Sequence, residues 1–265
     1  MPENHIIQPG QPIKIGQLST RGRDFCGDRK AAEKEFKQLR EELIVWQQKL
    51  YAEGRQSLLI VFQAMDAGGK DGTIRKVFQG VNPQGVRVAS FKKPSQKERA
   101  HDFLWRIHRE TPGNGMIRIF NRSHYEDVLV VRVHNYVPQS VWEPRFEQIN
   151  QFEELLSAAG TRILKFFLHI SKDEQKERFQ DRLDNPDKHW KFDVDDLNKR
   201  KLWDDYMSAF EDVLNRCSTP NAPWYAIPAD NKWYRNLTIT RTIVETLRDM
   251  NPCFPEAEDL TGITI

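Results

Sequence analysis

The run Ser57-Leu58-Leu59-Ile60-Val61-Phe62 constrains the fold more than any other stretch of the chain. It is short, almost wholly apolar and lacks polar alternation, so it reads as a strand buried on both faces, the kind that parallel sheets contain. A parallel strand needs a crossover before its neighbour. The residues that follow supply one, with Ile74, Val77, Phe78 and Val81 recurring at helical spacing. Segments 86–91, 116–120, 163–170 and 224–228 have the same strand character. Helical patterns lie between and around them: residues 29–52 with Phe36, Leu39, Leu43, Trp46 and Leu50 in phase, residues 95–109 opened by a Ser95/Glu98 capping box, a pattern on Phe146, Ile149, Phe152 and Leu156, and a last one on Ile239, Ile243, Leu247 and Met250. Strands alternating with helices predict right-handed crossovers and an α/β three-layer sandwich, with five parallel strands and helices on both faces.

Within the 265 residues, 29–250 read as a single domain. Residues 1–28, with Pro2, Pro9 and Pro12, read as an extended arm, and 251–265 as a tail. Residues 171–222 break the alternation with helices and no strand, opened by a second capping box, Ser171 and Glu174, and interrupted at Asn185-Pro186; this insert is expected to be a lid. Forty basic against 38 acidic residues leave +2, far from the balance of a dedicated nucleic-acid binder, so any polyanion site must be local. The three cysteines, Cys26, Cys217 and Cys253, form neither a disulfide framework nor a CxxC motif. No apolar run approaches the ~18 residues of a membrane span, and the first residues lack the pattern of a secretory signal. A cytoplasmic protein without membrane partners is expected.

After the first strand comes Ala64-Met65-Asp66-Ala67-Gly68-Gly69-Lys70-Asp71-Gly72-Thr73. Set against G-x-x-x-x-G-K-[ST], Gly69 and Lys70 fall in place between a strand and a helix, the context of a P-loop. Glycines let backbone N–H groups converge on phosphate oxygens, the helix N-terminus adds partial positive charge, and the lysine neutralises the outer phosphates. Gly68, Gly69, Lys70, Asp71, Gly72 and Thr73 are therefore the expected phosphate binders. Ala64 replaces the first glycine and Asp71 the Ser/Thr that would ligate magnesium; a glycine-rich turn that merely caps a helix is the bland alternative. The strand at 116–120 runs into Asn121, where a P-loop protein would carry a magnesium-binding aspartate. An amide is a weaker ligand for a hard cation, so the metal is expected to rest on Asp66, with Asn121 and Glu126 or Asp127 beside it. Arg122, at the carboxyl end of a central strand, is expected to meet phosphate, because ligands of open α/β sheets bind at that edge.

Several segments together resemble the family-2 polyphosphate kinases. They are Gln63 to Thr73, Ser90-Phe91-Lys92-Lys93-Pro94-Ser95, His101-Asp102-Phe103-Leu104-Trp105-Arg106, Phe120-Asn121-Arg122-Ser123-His124-Tyr125-Glu126-Asp127, Asn185-Pro186-Asp187-Lys188-His189-Trp190-Lys191-Phe192, and Ala222-Pro223-Trp224 followed by Pro228-Ala229-Asp230-Asn231-Lys232-Trp233. The resemblance covers roughly residues 30–250. It implies a P-loop kinase fold and phosphoryl transfer between inorganic polyphosphate and a nucleotide, adenine or guanine, with magnesium or manganese; Asn121 implies acceptance of AMP as well as ADP. A homo-oligomer is also expected.

Lys92 and Lys93 stand in a basic stretch at the mouth of a helix and are expected to bind polyphosphate. In the insert, Arg178 and Arg182 share a helix face, and Lys188 and Lys191 bracket His189 and Trp190. Spacing alone leaves a solvated face and a phosphate clamp equally open; the resemblance favours the clamp. Arg178 and Arg182 are then expected to be surface residues whose loss leaves stability nearly unchanged. In this reading Asp66, Lys70, Arg122, Arg178 and Arg182 carry catalysis, without a covalent enzyme intermediate. The rivals are an ATP-dependent nucleotide kinase of the same fold and a non-catalytic nucleotide or polyanion sensor.

Overall fold

A computed structural model describes residues 5–258; residues 1–4 of the arm and 259–265 of the tail lie outside it. The elements run α1 (Arg29–Glu53), β1 (Ser57–Gln63), α2 (Lys70–Val77), β2 (Val86–Ser90), α3 (Gln96–Arg99), α4 (Trp105–His108), β3 (Ile117–Asn121), α5 (Val130–Val133), α6 (Gln139–Trp142), α7 (Arg145–Ala158), β4 (Thr161–His169), α8 (Lys172–Asp184), α9 (Val194–Lys201), α10 (Trp203–Arg216), β5 (Trp224–Pro228) and α11 (Lys232–Met250). The five strands form one parallel sheet in the order β2-β3-β1-β4-β5. Every residue of β1 is buried, as its unbroken apolar run requires.

Strand order places the site. From β1 the chain moves outward through α2 to β2, whereas from β3 it crosses back over β1 through α7 to β4. Right-handed crossovers in opposite directions put α2 and α7 on opposite faces. The packing agrees: α1, α2 and α11 form one group, and α5, α6 and α7, with α10 beside α5, the other. The loops after β1 and β3 therefore part at neighbouring strand ends and leave a crevice at the carboxyl edge, where such sheets bind ligands.

Three local expectations change. The helix expected over 95–109 is two short ones, α3 and α4. The Ser95/Glu98 capping box forms, but α3 buries no side chain that would extend it, and Asp102 accepts from the Leu104 N–H and starts a new turn. The Ser171/Glu174 box is only half formed. Ser171 accepts from the Glu174 N–H, but its own N–H donates to Asp230, and Glu174 turns instead to Arg178. Within 171–222, α10 belongs to the scaffold: Trp203, Tyr206, Ala209, Phe210, Val213 and Leu214 are all buried along it. The part that stands outside the core is 172–202.

The arm is extended along the end of the sheet. Ile6 bridges Tyr225 antiparallel, the Ile7 N–H donates to the Trp224 carbonyl at 2.7 Å, and Thr20 binds Asp230. His5 lies edge-on to Phe25 and Tyr234 and hydrogen-bonds the Tyr234 hydroxyl. Burial pulls its pKa down to about 4. A histidine whose folded value lies below its unfolded value of 6.5 contributes stability above pH 6.5 and loses it as pH falls towards 4. Limited proteolysis within residues 5–28 is expected to accelerate between pH 6.5 and 4, and His5→Phe is expected to flatten that dependence.

Candidate active site

Between β1 and α2 the backbone turns through two left-handed residues, Ala67 (φ 59°) and Gly69 (φ 98°). At Gly69 a Cβ would lie 2.2 Å from Nη1 of Arg235 and 3.3 Å from Nη1 of Arg178. Gly68 packs equally tightly, with a Cβ position 2.5 Å from that of Ala64. Lys70 opens α2, is buried, and donates to the Ala64 carbonyl at 3.1 Å, so it folds back over its own loop. Burial, with Arg122 adding to it, pushes its pKa down to about 8. The Thr73 hydroxyl binds the Gly69 carbonyl inside the helix, and Gly72 borders open space.

The loop after β3 supplies the opposite wall. Arg122 donates to Asp66 at 2.6 Å and to Glu126 at 3.4 Å. Its φ of 62° is left-handed, which costs a residue with a Cβ roughly 1–2 kcal/mol. Buried anchors on the next residues hold it there. Tyr125 donates to Glu153 at 2.8 Å, His124 bonds the same carboxylate, and Lys165 of β4 reaches Glu153, Tyr125 and the Cys217 carbonyl, all within the core. His124 is thus a structural residue, and His101 stacks on Trp105.

Asp66 is the point where the elements meet. Arg122 lies on one carboxylate oxygen and Lys199 of α9 lies 3.3 Å from the other. Burial alone would raise the Asp66 pKa, but Arg122, Lys70 and Lys199 outweigh it and keep the carboxyl below its ordinary value. Nearby Asp196 is pushed up to about 6 by burial and by the charge of Asp66. The cleft is completed by Glu126, Leu129, Val130, Tyr206 and Phe210. Sequence reasoning missed Lys199, Tyr206 and Arg235. Lys199 was visible only as one charge in an insert with a net excess of acids; its signal was the spacing from Asp195 and Asp196, which puts all three on one helix face.

Two of the three departures from the P-loop pattern, Asp71 and Asn121, are partners. The Asn121 amide donates to the Asp71 carboxylate. Where the pattern pairs a hydroxyl on the helix with a carboxylate on the strand, this chain places the carboxylate on the helix and the donor on the strand. The same contact survives with its ends exchanged.

Other expected residues lie further out. Lys92 and Lys93 are exposed beyond the end of β2, one strand away from Asn121. Arg182 binds the Lys191 carbonyl and Asp196, Lys188 pairs with Asp181, and the Lys191 ammonium sits over the Trp190 ring. Lys188 and Lys191 belong to the lid's own surface, Arg182 is half-buried within the lid, and none of the three lines the cleft. Arg178 is the clearest correction. It is not a surface residue: its side chain is 10% exposed and donates to the carbonyls of Ala67 and Ala229 as well as to Glu174. It ties the phosphate loop to the end of β5. Arg178→Ala should therefore cost about 2 kcal/mol, the scale of a lost charge-assisted hydrogen-bond set, and lower the melting temperature. A variant melting with wild type would return Arg178 to the solvated face.

Comparison with known proteins agrees with this architecture. The sequence model of the family described as Polyphosphate kinase 2 (PPK2) matches residues 27–255. An AMP/ADP-polyphosphate phosphotransferase of Meiothermus ruber is 56% identical over 234 residues, 88% of either chain. An ADP-polyphosphate phosphotransferase of Rhodopseudomonas palustris is 45% identical over 94% of this chain and 91% of its own. Among solved structures, polyphosphate kinase 2 from Arthrobacter aurescens superposes with a TM-score of 0.91 at 38% identity, covering 95% of this chain and 91% of that one. A glycine loop, a lysine folded over it and an arginine-bound aspartate at the switch of a five-stranded parallel sheet thus sit in a chain that belongs to the polyphosphate kinase 2 family.

Proposed function

We propose that the protein transfers a phosphoryl group between inorganic polyphosphate and a nucleoside mono- or diphosphate, interconverting AMP, ADP and ATP. The observation that carries this reading is the convergence of Lys70, Arg122 and Lys199 on Asp66 at the carboxyl edge of the sheet. Phosphoryl transfer asks for in-line positioning and charge neutralisation more than for covalent chemistry. Three cations around one buried carboxylate supply both, and family membership with the two named relatives supports the same chemistry.

The residues divide the work by position. Lys70 and the loop amides bind the phosphates of the chain end that reacts. Arg122, held by the buried Tyr125–Glu153–Lys165 cluster, meets charge that develops on the transferring group. Lys199 brings α9 of the lid onto Asp66, so lid position and site charge are coupled. The lid cations Arg182, Lys188 and Lys191, together with Lys92 and Lys93, lie outside the cleft and suit a longer polyanion better than the reacting group.

Magnesium or manganese fits the donor set. No group of three metal-ligating side chains occurs among the described residues, but Mg²⁺ on phosphates usually takes only one or two carboxylates from the protein. Asp66, kept ionised, and Glu126 are the carboxylates that line the cleft, and the Asp71–Asn121 pair joins the start of α2 to the end of β3. The ion would neutralise phosphate charge.

Incubation of the pure protein with magnesium, polyphosphate and AMP or ADP should give ADP or ATP, whereas ATP with a nucleoside monophosphate and no polyphosphate tests the nucleotide-kinase rival. Lys70→Ala should fold normally yet retain less than about a tenth of the activity, and Asp66→Asn should lose on the order of 10²-fold, the scale of removing one preorganised charge. Transfer that depends on ATP and ignores polyphosphate would overturn the assignment.

A further inference from the structure

Beside Gly69 of the phosphate loop, and outside the set of residues that line the cleft, lies Arg235 of the first turn of α11. It is 3% exposed. Its Nε and Nη2 donate to the Asn236 side-chain oxygen at 3.2 and 3.0 Å, and among the described residues it forms no ion pair with any carboxylate. Two charges act on it: the cation Arg178, which opposes it, and Glu174, which favours it but already forms its ion pair with Arg178. Burial, reinforced by Arg178, pushes the Arg235 pKa down to about 9. The remaining nitrogen, Nη1, is directed at Gly69, so close that any side chain on that residue would collide with it.

A buried guanidinium without an ion pair of its own is expensive, and proteins seldom keep one unless something compensates it. Asn236 makes the omission pointed: an aspartate of the same size at that position would have closed an ion pair. We propose that Arg235 is a positioning residue whose missing counter-ion is the phosphate bound by the loop, its charge acting through the bare backbone of Gly69. On this account the glycine is needed because it keeps the separation between guanidinium and phosphate to the thickness of one peptide. The uncompensated charge makes the empty loop less stable and the occupied loop more so. The inference rests on the reading of residues 64–70 as a phosphate site and adds what lies beside it.

Asn236→Asp gives the protein its own counter-ion without changing side-chain volume. With inorganic triphosphate as the probe, this variant is expected to melt above wild type when empty, to gain less than half of the wild-type rise in melting temperature when triphosphate is added, and to bind it about tenfold more weakly, since a few Å separate the charges in partly desolvated surroundings. The KM for polyphosphate should rise more than kcat falls. Arg235→Met should reproduce the weakened binding, while Arg235→Lys, which keeps the charge, should recover most of it. A merely structural Arg235 predicts a different pattern, in which Arg235→Met melts lower and both variants show the full wild-type shift and affinity; that result would overturn the proposal. Should wild type itself show neither a triphosphate-induced shift nor transfer, the phosphate-loop reading falls and this inference with it. A wild type that shifts while Asn236→Asp shifts equally removes this inference alone.

Discussion

The ionised Asp66 holds the functional half of the molecule together. It sits in the loop after β1, takes Arg122 from the end of β3 on one oxygen, and takes Lys199 from the lid on the other. Remove its charge and two cations, Arg122 and Lys199, lose the partner that balances them, while the nearby buried acid Asp196 is relieved of a like charge. The sheet topology is what makes this meeting possible, because adjacent strands whose crossovers leave on opposite faces bring their loops to one crevice. The fold thus places the ends, and one carboxylate keeps three mutually repelling positive groups within reach of a polyanion.

The preorganisation extends into the core. Lys165, Glu153, Tyr125 and His124 form a closed hydrogen-bonded cluster with essentially no exposure. Such clusters add little net stability over well-packed apolar side chains, but they accept one geometry and reject others. Here that geometry fixes the turn in which Arg122 adopts a left-handed backbone. The cost of strain at the site is met a few Å below it, where water does not compete for the hydrogen bonds.

Most of the scaffold was legible in the sequence, since apolar runs and helical spacings are set by burial, and burial is what the sheet demands. All five strands lie where the runs predicted them. The helix at 95–109 was misread because a capping box announces a start but says nothing of length; without apolar side chains to bury, α3 stops after one turn. At the site, Asp66, Lys70 and Arg122 were legible because strand ends and glycines mark them. Lys199, Tyr206 and Arg235 were not, because each reaches the loop from an element distant in sequence and carries no local signature. Arg178 was read from helix spacing as a surface group, and only the fold shows its face turned to the loop carbonyls. Asp71 and Asn121 looked like two separate defects until the structure put them in contact.

The arm ties the first residues of the chain to the last strand. Ile6 lies on Tyr225, and Thr20 meets Asp230 across 210 positions of sequence. Asp230 in turn receives the N–H of Ser171 at the root of the lid. Residues 5–28 are made before α10, β5 and α11, so during synthesis Ile15, Ile13 and Thr20 wait for partners that follow them by 196, 202 and 210 positions. The arm is fastened only when these later elements have been made, and contacts of such separation form late and slowly. The bond that closes the domain at its edge is also a sign that translation has passed β5.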